Sequence, residues 1–306
     1  SLGSVVASCL ANQRRELIDR MILMGVMQKT RKSWRMLLEE SLHLMREQRM
    51  DEFGQAVILY LVNHAKMDKT KMSPTAKRLF FRQMAEFTAT EQERYEINCN
   101  RLLRLTDVPI PQCKVLVACG QYDSFTLPHE NANFALQCPD MEYAQIANAH
   151  HVQQLRRRKE AMHWLADVLK DKSIQHLDRN IPFSRAQMVE MESRGEERGQ
   201  IQHPETFLSY RHSDLVIATE VVDLNYFGVL LRFESDLAAI AAKYPRDLAL
   251  HLSDEEGAFQ IECLIFAEDG PYIRALFKHG SFELAERLLR FVGRQKQEQT
   301  LLEAVS

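Results

Sequence analysis

Apolar and polar positions change rhythm along this 306-residue chain. Val5, Val6, Cys9 and Leu10 recur at helical spacing, and an apolar run from Leu17 to Met24 follows and ends at Gly25, which predicts a helix and then a strand. Residues 28–107 lose strand character. Trp34, Leu37, Leu38, Leu42, Leu44 and Met45, then Phe53, Val57, Leu59 and Tyr60, then Leu79, Phe80, Met84 and Phe87 follow a helical period, which predicts three to five helices. Ser73-Pro74 reads as one helix start, with proline in the first turn. Strand character returns at Lys114–Gly120, a short apolar run between turn residues that suits a parallel strand buried on both faces. A helical stretch over Glu130–Leu136, a strand over Glu142–Ile146 and an amphipathic helix over Lys159–Leu169 complete an alternation typical of an α/β layer.

Residues 171–205 are polar and charged, with one short helix near Ser184–Glu192, and read as a linker. Beyond them the rhythm shortens. Phe207–Tyr210, Leu215–Val222, Gly228–Phe233, Asp247–Leu252 and Ala258–Phe266 read as strands at the spacing of an antiparallel sheet or small barrel. Glu283–Val292 closes as an amphipathic helix. The expected fold class is therefore α/β plus all-β: residues 1–171 with a helical insertion at 28–107, a linker over 172–200, and a small barrel with a C-terminal helix over 201–306.

Composition narrows the function classes. With 45% apolar and 26% charged residues the chain reads as an ordinary globular protein, and a net charge of -3 argues against a general nucleic-acid binder. No apolar run reaches the roughly 18 residues of a transmembrane helix. The six cysteines form no C-x-x-C pair, and several sit inside apolar runs, which suits buried thiols in a reducing cytoplasm rather than disulfides or a zinc site. The adjacent His150 and His151 lack further ligands nearby in sequence, so no metal is expected.

The chemistry begins at Ser1-Leu2-Gly3. Serine, any residue, glycine is the second half of the G-x-S-x-G nucleophile elbow, and the helix and strand predicted behind it fit that turn. On this reading the chain opens in mid-motif and is the back half of a larger hydrolase, without the leading glycine and earlier strands. A serine with a free α-amino group could also act as an N-terminal nucleophile, but such enzymes need a sheet sandwich that the pattern does not predict. A nucleophilic serine needs a base, and the base an orienting carboxylate. The Lys114–Cys119 strand runs into Gly120-Gln121-Tyr122-Asp123-Ser124-Phe125-Thr126-Leu127-Pro128, and the next runs into Ala147-Asn148-Ala149-His150-His151. Order and context resemble the acid and histidine loops of the α/β-hydrolase superfamily. The resemblance covers about residues 1–170, with 28–107 in the place of that family's variable helical cap. It implies Ser1 as nucleophile, Asp123 as acid, His151 as base and the Leu2 N–H as one oxyanion donor, with no cofactor for catalysis. The cap's Met21, Met24, Met27, Phe80, Phe81 and Phe87 either line an acyl pocket or fill core.

A second constellation lies behind the linker. Arg194-Gly195-Glu196-Glu197-Arg198 is an R-x-x-x-R, and Asp223-Leu224-Asn225-Tyr226-Phe227-Gly228 precedes an apolar strand. Together these resemble the PilZ domain, a small β-barrel that binds the bacterial second messenger cyclic di-GMP, with Asn225 in place of the motif serine. The resemblance implies ligand contacts from Arg194, Arg198, Asp223, Asn225 and Gly228. Guanidinium groups suit phosphates and the O6/N7 edge of guanine, short polar side chains accept from guanine N–H groups, and glycine permits positive φ and close backbone approach. Two readings of function follow. One is a serine hydrolase of the esterase, lipase or thioesterase class, acting on a small-molecule ester or thioester and regulated by cyclic di-GMP. The other is a non-catalytic cyclic di-GMP receptor that keeps the hydrolase fold as a scaffold.

Overall fold

The structure is a computed structural model that describes residues 2–70, 72–151, 166–170, 180–191, 206–210, 216–234 and 243–305. The chain divides into two compact units: Ser1–Leu38 with Val57–Gly195, and Glu39–Ala56 with Glu196–Ser306.

The first unit is built on a four-stranded sheet in the order β1-β2-β3-β4. Strands β1 (Arg20–Met24), β2 (Lys114–Gly120) and β3 (Met141–Ile146) are parallel, with Met21 opposite Val115 and Val115 opposite Met141. The β2 side chains alternate between two cores, as a strand's period of two demands. Val115, Val117 and Cys119 pack with Leu23, Phe134 and Tyr143, whereas Leu116 and Ala118 pack with Ala144. Burial on both faces is why β2 reads in sequence as a continuous apolar run. Met21 and Met24 pack against these cores.

Helix α1 (Leu2–Gln13) forms where its pattern predicts, and Val5 packs against the sheet core, but its most buried positions are small residues. Ser4, Ser8 and Ala11 are buried, while Val6 and Leu10 are exposed. Small residues let the helix approach the sheet closely, and the Ser4 hydroxyl donates to the Gly25 carbonyl at 3.3 Å. Between β1 and β2 lie α2 (Lys32–Arg46), α3 (Met50–Leu61), the short α4 (Met67–Thr70), α5 (Pro74–Ala85) and α6 (Ala89–Leu103), in line with the predicted helical region. Ser73 caps α5 as expected, accepting from the Ala76 N–H at 3.1 Å. Thr88 and Glu91 form a reciprocal capping box on α6.

In the stretch read as a linker, the short helix expected near Ser184–Glu192 forms as α8 (Arg185–Val189), which follows α7 (Pro128–Gln137) and buries Met188 in the sheet core, and β4 (Asn180–Pro182), antiparallel to β3, is an addition. A three-residue strand is too short to show a period, so these residues read as polar connection. The helical region expected to belong wholly to the hydrolase portion is divided, because residues 39–56 group with the barrel. Within that unit Glu40 is buried, accepts from Arg246 at 2.6 Å and forms an ion pair with Lys278 at 3.0 Å. A buried carboxylate requires such partners. Of the predicted Lys159–Leu169 helix, residues 166–169 are described and are helical.

The second unit holds a closed antiparallel barrel in the order β10-β7-β6-β5-β8-β9. Its strands are β5 (Thr206–Tyr210), β6 (Val216–Leu224), β7 (Gly228–Arg232), β8 (Leu248–Asp254), β9 (Gly257–Asp269) and β10 (Tyr272–Lys278). The first five match the predicted strands, and β10 is an addition. Helix α9 (Phe282–Val305) extends beyond its predicted end. Its Arg287 binds Asp254 at 2.6 and 3.1 Å and covers the Phe259 ring at 4.4 Å. All six cysteines are free thiols. Burial pushes Cys99 up to about 11 and Cys263 up to about 12, which keeps both protonated at neutral pH. Among the described residues no helix is long and apolar enough to cross a membrane.

Closure of the barrel depends on Gly228, where any Cβ would lie 2.4 Å from the Ala275 carbonyl oxygen on β10. Gly228→Ala should therefore destabilise the barrel by about 1–3 kcal/mol, the usual cost of overpacking a tight contact. Chemical denaturation measures this, and a midpoint equal to that of the unsubstituted protein would show that β7 and β10 separate without cost.

Candidate functional site

Parallel pairing of β2 and β3 places the loops at their C-terminal ends side by side, where active sites form in open α/β sheets. The two loops are joined backbone to backbone. The Gln121 N–H donates to the Ile146 carbonyl at 3.0 Å and the Tyr122 N–H to the Ala149 carbonyl at 2.9 Å. Gly120 makes the approach possible, because a Cβ there would lie 2.4 Å from the Ala149 oxygen. Asn148 takes a positive φ of 54°, a conformation asparagine tolerates, and its N–H donates to the Gln121 side chain at 3.1 Å.

Asp123 and His151 meet at this junction. His151 Nδ1 donates to Asp123 Oδ2 at 2.8 Å, with His151 8% and Asp123 2% exposed. The carboxylate accepts three further hydrogen bonds. Its Oδ1 takes the backbone N–H groups of Phe125 at 2.9 Å and Thr126 at 2.8 Å, and its Oδ2 takes the Thr126 hydroxyl at 2.8 Å. Burial alone would raise the Asp123 pKa. The facing His151 and these hydrogen bonds outweigh it and hold the carboxyl below its ordinary range. Asp123 is therefore ionised at neutral pH, and it occupies Nδ1 of the ring, leaving Nε2 for proton exchange.

Several supporting groups were not singled out by sequence. The Phe125 ring lies 4.6 Å from the His151 ring, and Trp34 packs edge-on against Phe125 at 5.0 Å. Arg31 pairs with Glu130 at 2.7 Å and donates to the Ser124 carbonyl at 3.0 Å, fastening the Asp123 loop. A sequence signal existed only for the Thr126-Leu127-Pro128 turn, in which Pro128 opens α7. Gly25, at the end of β1, has a φ of 70°, and a Cβ there would lie 3.1 Å from His151 Cε1. The first turn of α1, which begins at Leu2, reaches the same glycine through Ser4. Ser1 lies outside the described residues.

The second predicted site is partly described. Arg194 and Arg198 lie outside the described residues. Asp223 lies near the end of β6, Asn225 in the connection and Gly228 at the start of β7, and a register shift between Val221 and Asp223 interrupts the ladder. Asn225 Oδ1 accepts from the Phe227 N–H at 2.9 Å and the Gly228 N–H at 3.0 Å. This oxygen thus closes the turn that follows β6. Gly228 also lies outside the positive-φ region, so it serves close approach alone. Tyr226 is buried against His279 at 4.5 Å and anchors the turn. Among the described residues no cluster of three or more His, Cys, Asp or Glu side chains could hold a metal ion.

No protein-family model matches the chain, and no curated protein does. Among solved structures it is similar to MGS-M2, an α/β hydrolase from a Medee basin deep-sea metagenome library, at 16% identity over 56% of this chain and 63% of that one, with a TM-score of 0.46. It is similar to a thermophilic esterase from Thermogutta terrifontis at 16% identity, 56% and 62% coverage and a TM-score of 0.41. It is also similar to the PilZ domain of YcgR from Escherichia coli, solved with c-di-GMP, at 15% identity over 37% of this chain and 98% of that one, with a TM-score of 0.30. The chain thus spans less than two thirds of the two hydrolase chains. By its own topology, a parallel β1-β2-β3 layer with the Asp123 and His151 loops at its strand ends and a closed six-stranded antiparallel barrel with a terminal helix, the fold is of the α/β-hydrolase type followed by a PilZ-like barrel.

Proposed function

We propose that the protein is a serine hydrolase of the esterase, lipase or thioesterase class whose PilZ-like barrel binds cyclic di-GMP and regulates it. The observation that carries the catalytic reading is the buried, hydrogen-bonded Asp123–His151 pair in the loops that follow two parallel strands. In this reading Ser1 Oγ attacks the carbonyl of an ester or thioester while His151 Nε2 accepts its proton. The Leu2 N–H stabilises the oxyanion, and His151 then protonates the leaving group as the acyl-Ser1 ester forms. Water, deprotonated by His151, releases the acid and restores Ser1. Asp123 holds the ring in the tautomer this requires and stabilises the imidazolium. The six free thiols support a reducing compartment, the cytoplasm, as the site of action.

The barrel reading rests on topology. The chain enters β5 at Thr206, and Thr206 pairs with Thr219 on β6, which runs on to the Asn225 turn. Strand direction puts the start of β5 at the end of the barrel that carries Asp223 and Asn225, and Arg194 and Arg198 precede that strand in sequence. The arginines would bind phosphate and guanine edges. Asn225, with its oxygen used in the turn, would contribute its amide N–H donors.

Two outcomes are expected. Asp123→Asn should lower kcat for a p-nitrophenyl ester by roughly a thousandfold to ten-thousandfold, because the ring then takes the wrong tautomer. Turnover unchanged by this substitution would refute the catalytic assignment. Calorimetry with cyclic di-GMP should show binding that the Arg194→Ala, Arg198→Ala double variant loses. Binding that survives the double variant would remove the arginines from the site, and binding by a protein without esterase turnover would favour the non-catalytic receptor.

A further inference from the structure

Asp123 Oδ2 receives two donors at the same distance, the His151 ring and the Thr126 hydroxyl, each at 2.8 Å. Thr126 is wholly buried, and its own backbone N–H is bound to Asp123 Oδ1. The hydroxyl is confined from the other side by Gly25. A Cβ at that position would lie 2.8 Å from Thr126 Oγ1 and 3.1 Å from His151 Cε1, and the φ of 70° suits glycine. The Gly25 backbone is itself fixed, its N–H donating to the Ala118 carbonyl at 2.8 Å and its carbonyl accepting from Ser4 at 3.3 Å. One glycine thus touches both groups that share the carboxylate oxygen.

We propose that Thr126, held in place by Gly25, is a positioning residue that sets the proton affinity of the Asp123–His151 pair. The physical reason is competition for one oxygen. A neutral hydroxyl that donates to Oδ2 draws negative charge away from the face presented to the imidazole, so the imidazolium is stabilised less than by an unshared carboxylate. The hydroxyl also stabilises the carboxylate, which resists protonation more strongly. Both effects act in one direction: the pair takes up its proton at lower pH than it would without Thr126. Two other titratable groups that face Asp123 among the described residues do not substitute. The Cys119 thiol on β2 and the Tyr143 phenol on β3 are both pushed up by burial and stay neutral, and the Tyr143 hydroxyl is committed to the Pro128 carbonyl at 2.9 Å.

The kinetic consequence rests on the hydrolase reading, and the titration does not. Thr126→Val keeps the side-chain shape and removes the donor. NMR titration of the His151 ring should show proton uptake moving to higher pH, by roughly twofold to threefold in the equilibrium, because the hydroxyl acts on the ring only through the oxygen they share. Thr126→Ser should restore the original titration. Gly25→Ala, which displaces the hydroxyl without removing it, should shift the titration in the same direction as Thr126→Val. It also provides a second test if the valine variant fails to fold. In ester hydrolysis the acidic limb of the kcat/KM profile should move up with the titration, while KM stays unchanged. A folded Thr126→Val or Gly25→Ala protein whose His151 titrates as in the original would overturn the proposal. Absent turnover with a shifted titration would instead remove the hydrolase reading and leave the role of Thr126 standing.

Discussion

One hydrogen bond orders the first unit around itself: His151 Nδ1 to Asp123 Oδ2, 2.8 Å long and buried. A carboxylate taken out of water is costly unless its lone pairs are satisfied. Here four donors satisfy them, two from backbone and two from side chains. Meeting that demand fixes much else. The β2 and β3 strands must be parallel neighbours in register, so that the loops leaving them emerge together. Gly120 must lack a side chain, because the Ala149 carbonyl occupies that space. Arg31, Phe125 and Trp34 hold the Asp123 loop and the His151 ring from the side of the helical region.

The barrel obeys a different constraint. Its turn after β6 uses its polar residue to make the turn itself, since Asn225 Oδ1 is bound to two backbone N–H groups. Its glycine serves closure against β10 rather than an unusual backbone angle. The Asn225 and Gly228 positions of the Asp-x-Asn-x-x-Gly pattern therefore each have a role in folding. The helical segment over residues 39–56 is held by the same logic as the Asp123 carboxylate. Glu40 is buried because Arg246 and Lys278 neutralise it.

Legibility in the sequence followed the length and symmetry of each signal. The continuous apolar run of β2, the helix start at Ser73-Pro74 and the alternating strands of the barrel all carry enough residues to establish a period. The order Asp123 then His151 was readable because each ends a recognisable strand. Other features left little trace. β4 spans only Asn180–Pro182, so its pairing with β3 could not be seen in a polar stretch. β10 did carry a signal, because Ile273, Ala275 and Phe277 are buried alternately, but Arg274 and Lys278 made the run look like a solvated connection. The buried face of α1 was hidden by its own composition, since Ser4, Ser8 and Ala11 are small and Val6 and Leu10 looked like the core side. Glu40 reads as a surface charge on an amphipathic helix, and only tertiary contact reveals it as an anchor. Thr126 and Gly25 act through distances between segments about a hundred residues apart in the chain, and no local pattern encodes such distances.

The central claim is that the Asp123–His151 pair activates the serine that precedes α1. Reaction with a fluorophosphonate, followed by tandem mass spectrometry of the peptide spanning residues 1–14, tests it most directly. The account predicts a stoichiometric adduct on Ser1, none on Ser4 or Ser8, and no adduct after His151→Ala. A folded protein that stays unlabelled, or that is labelled equally with and without His151, would contradict it.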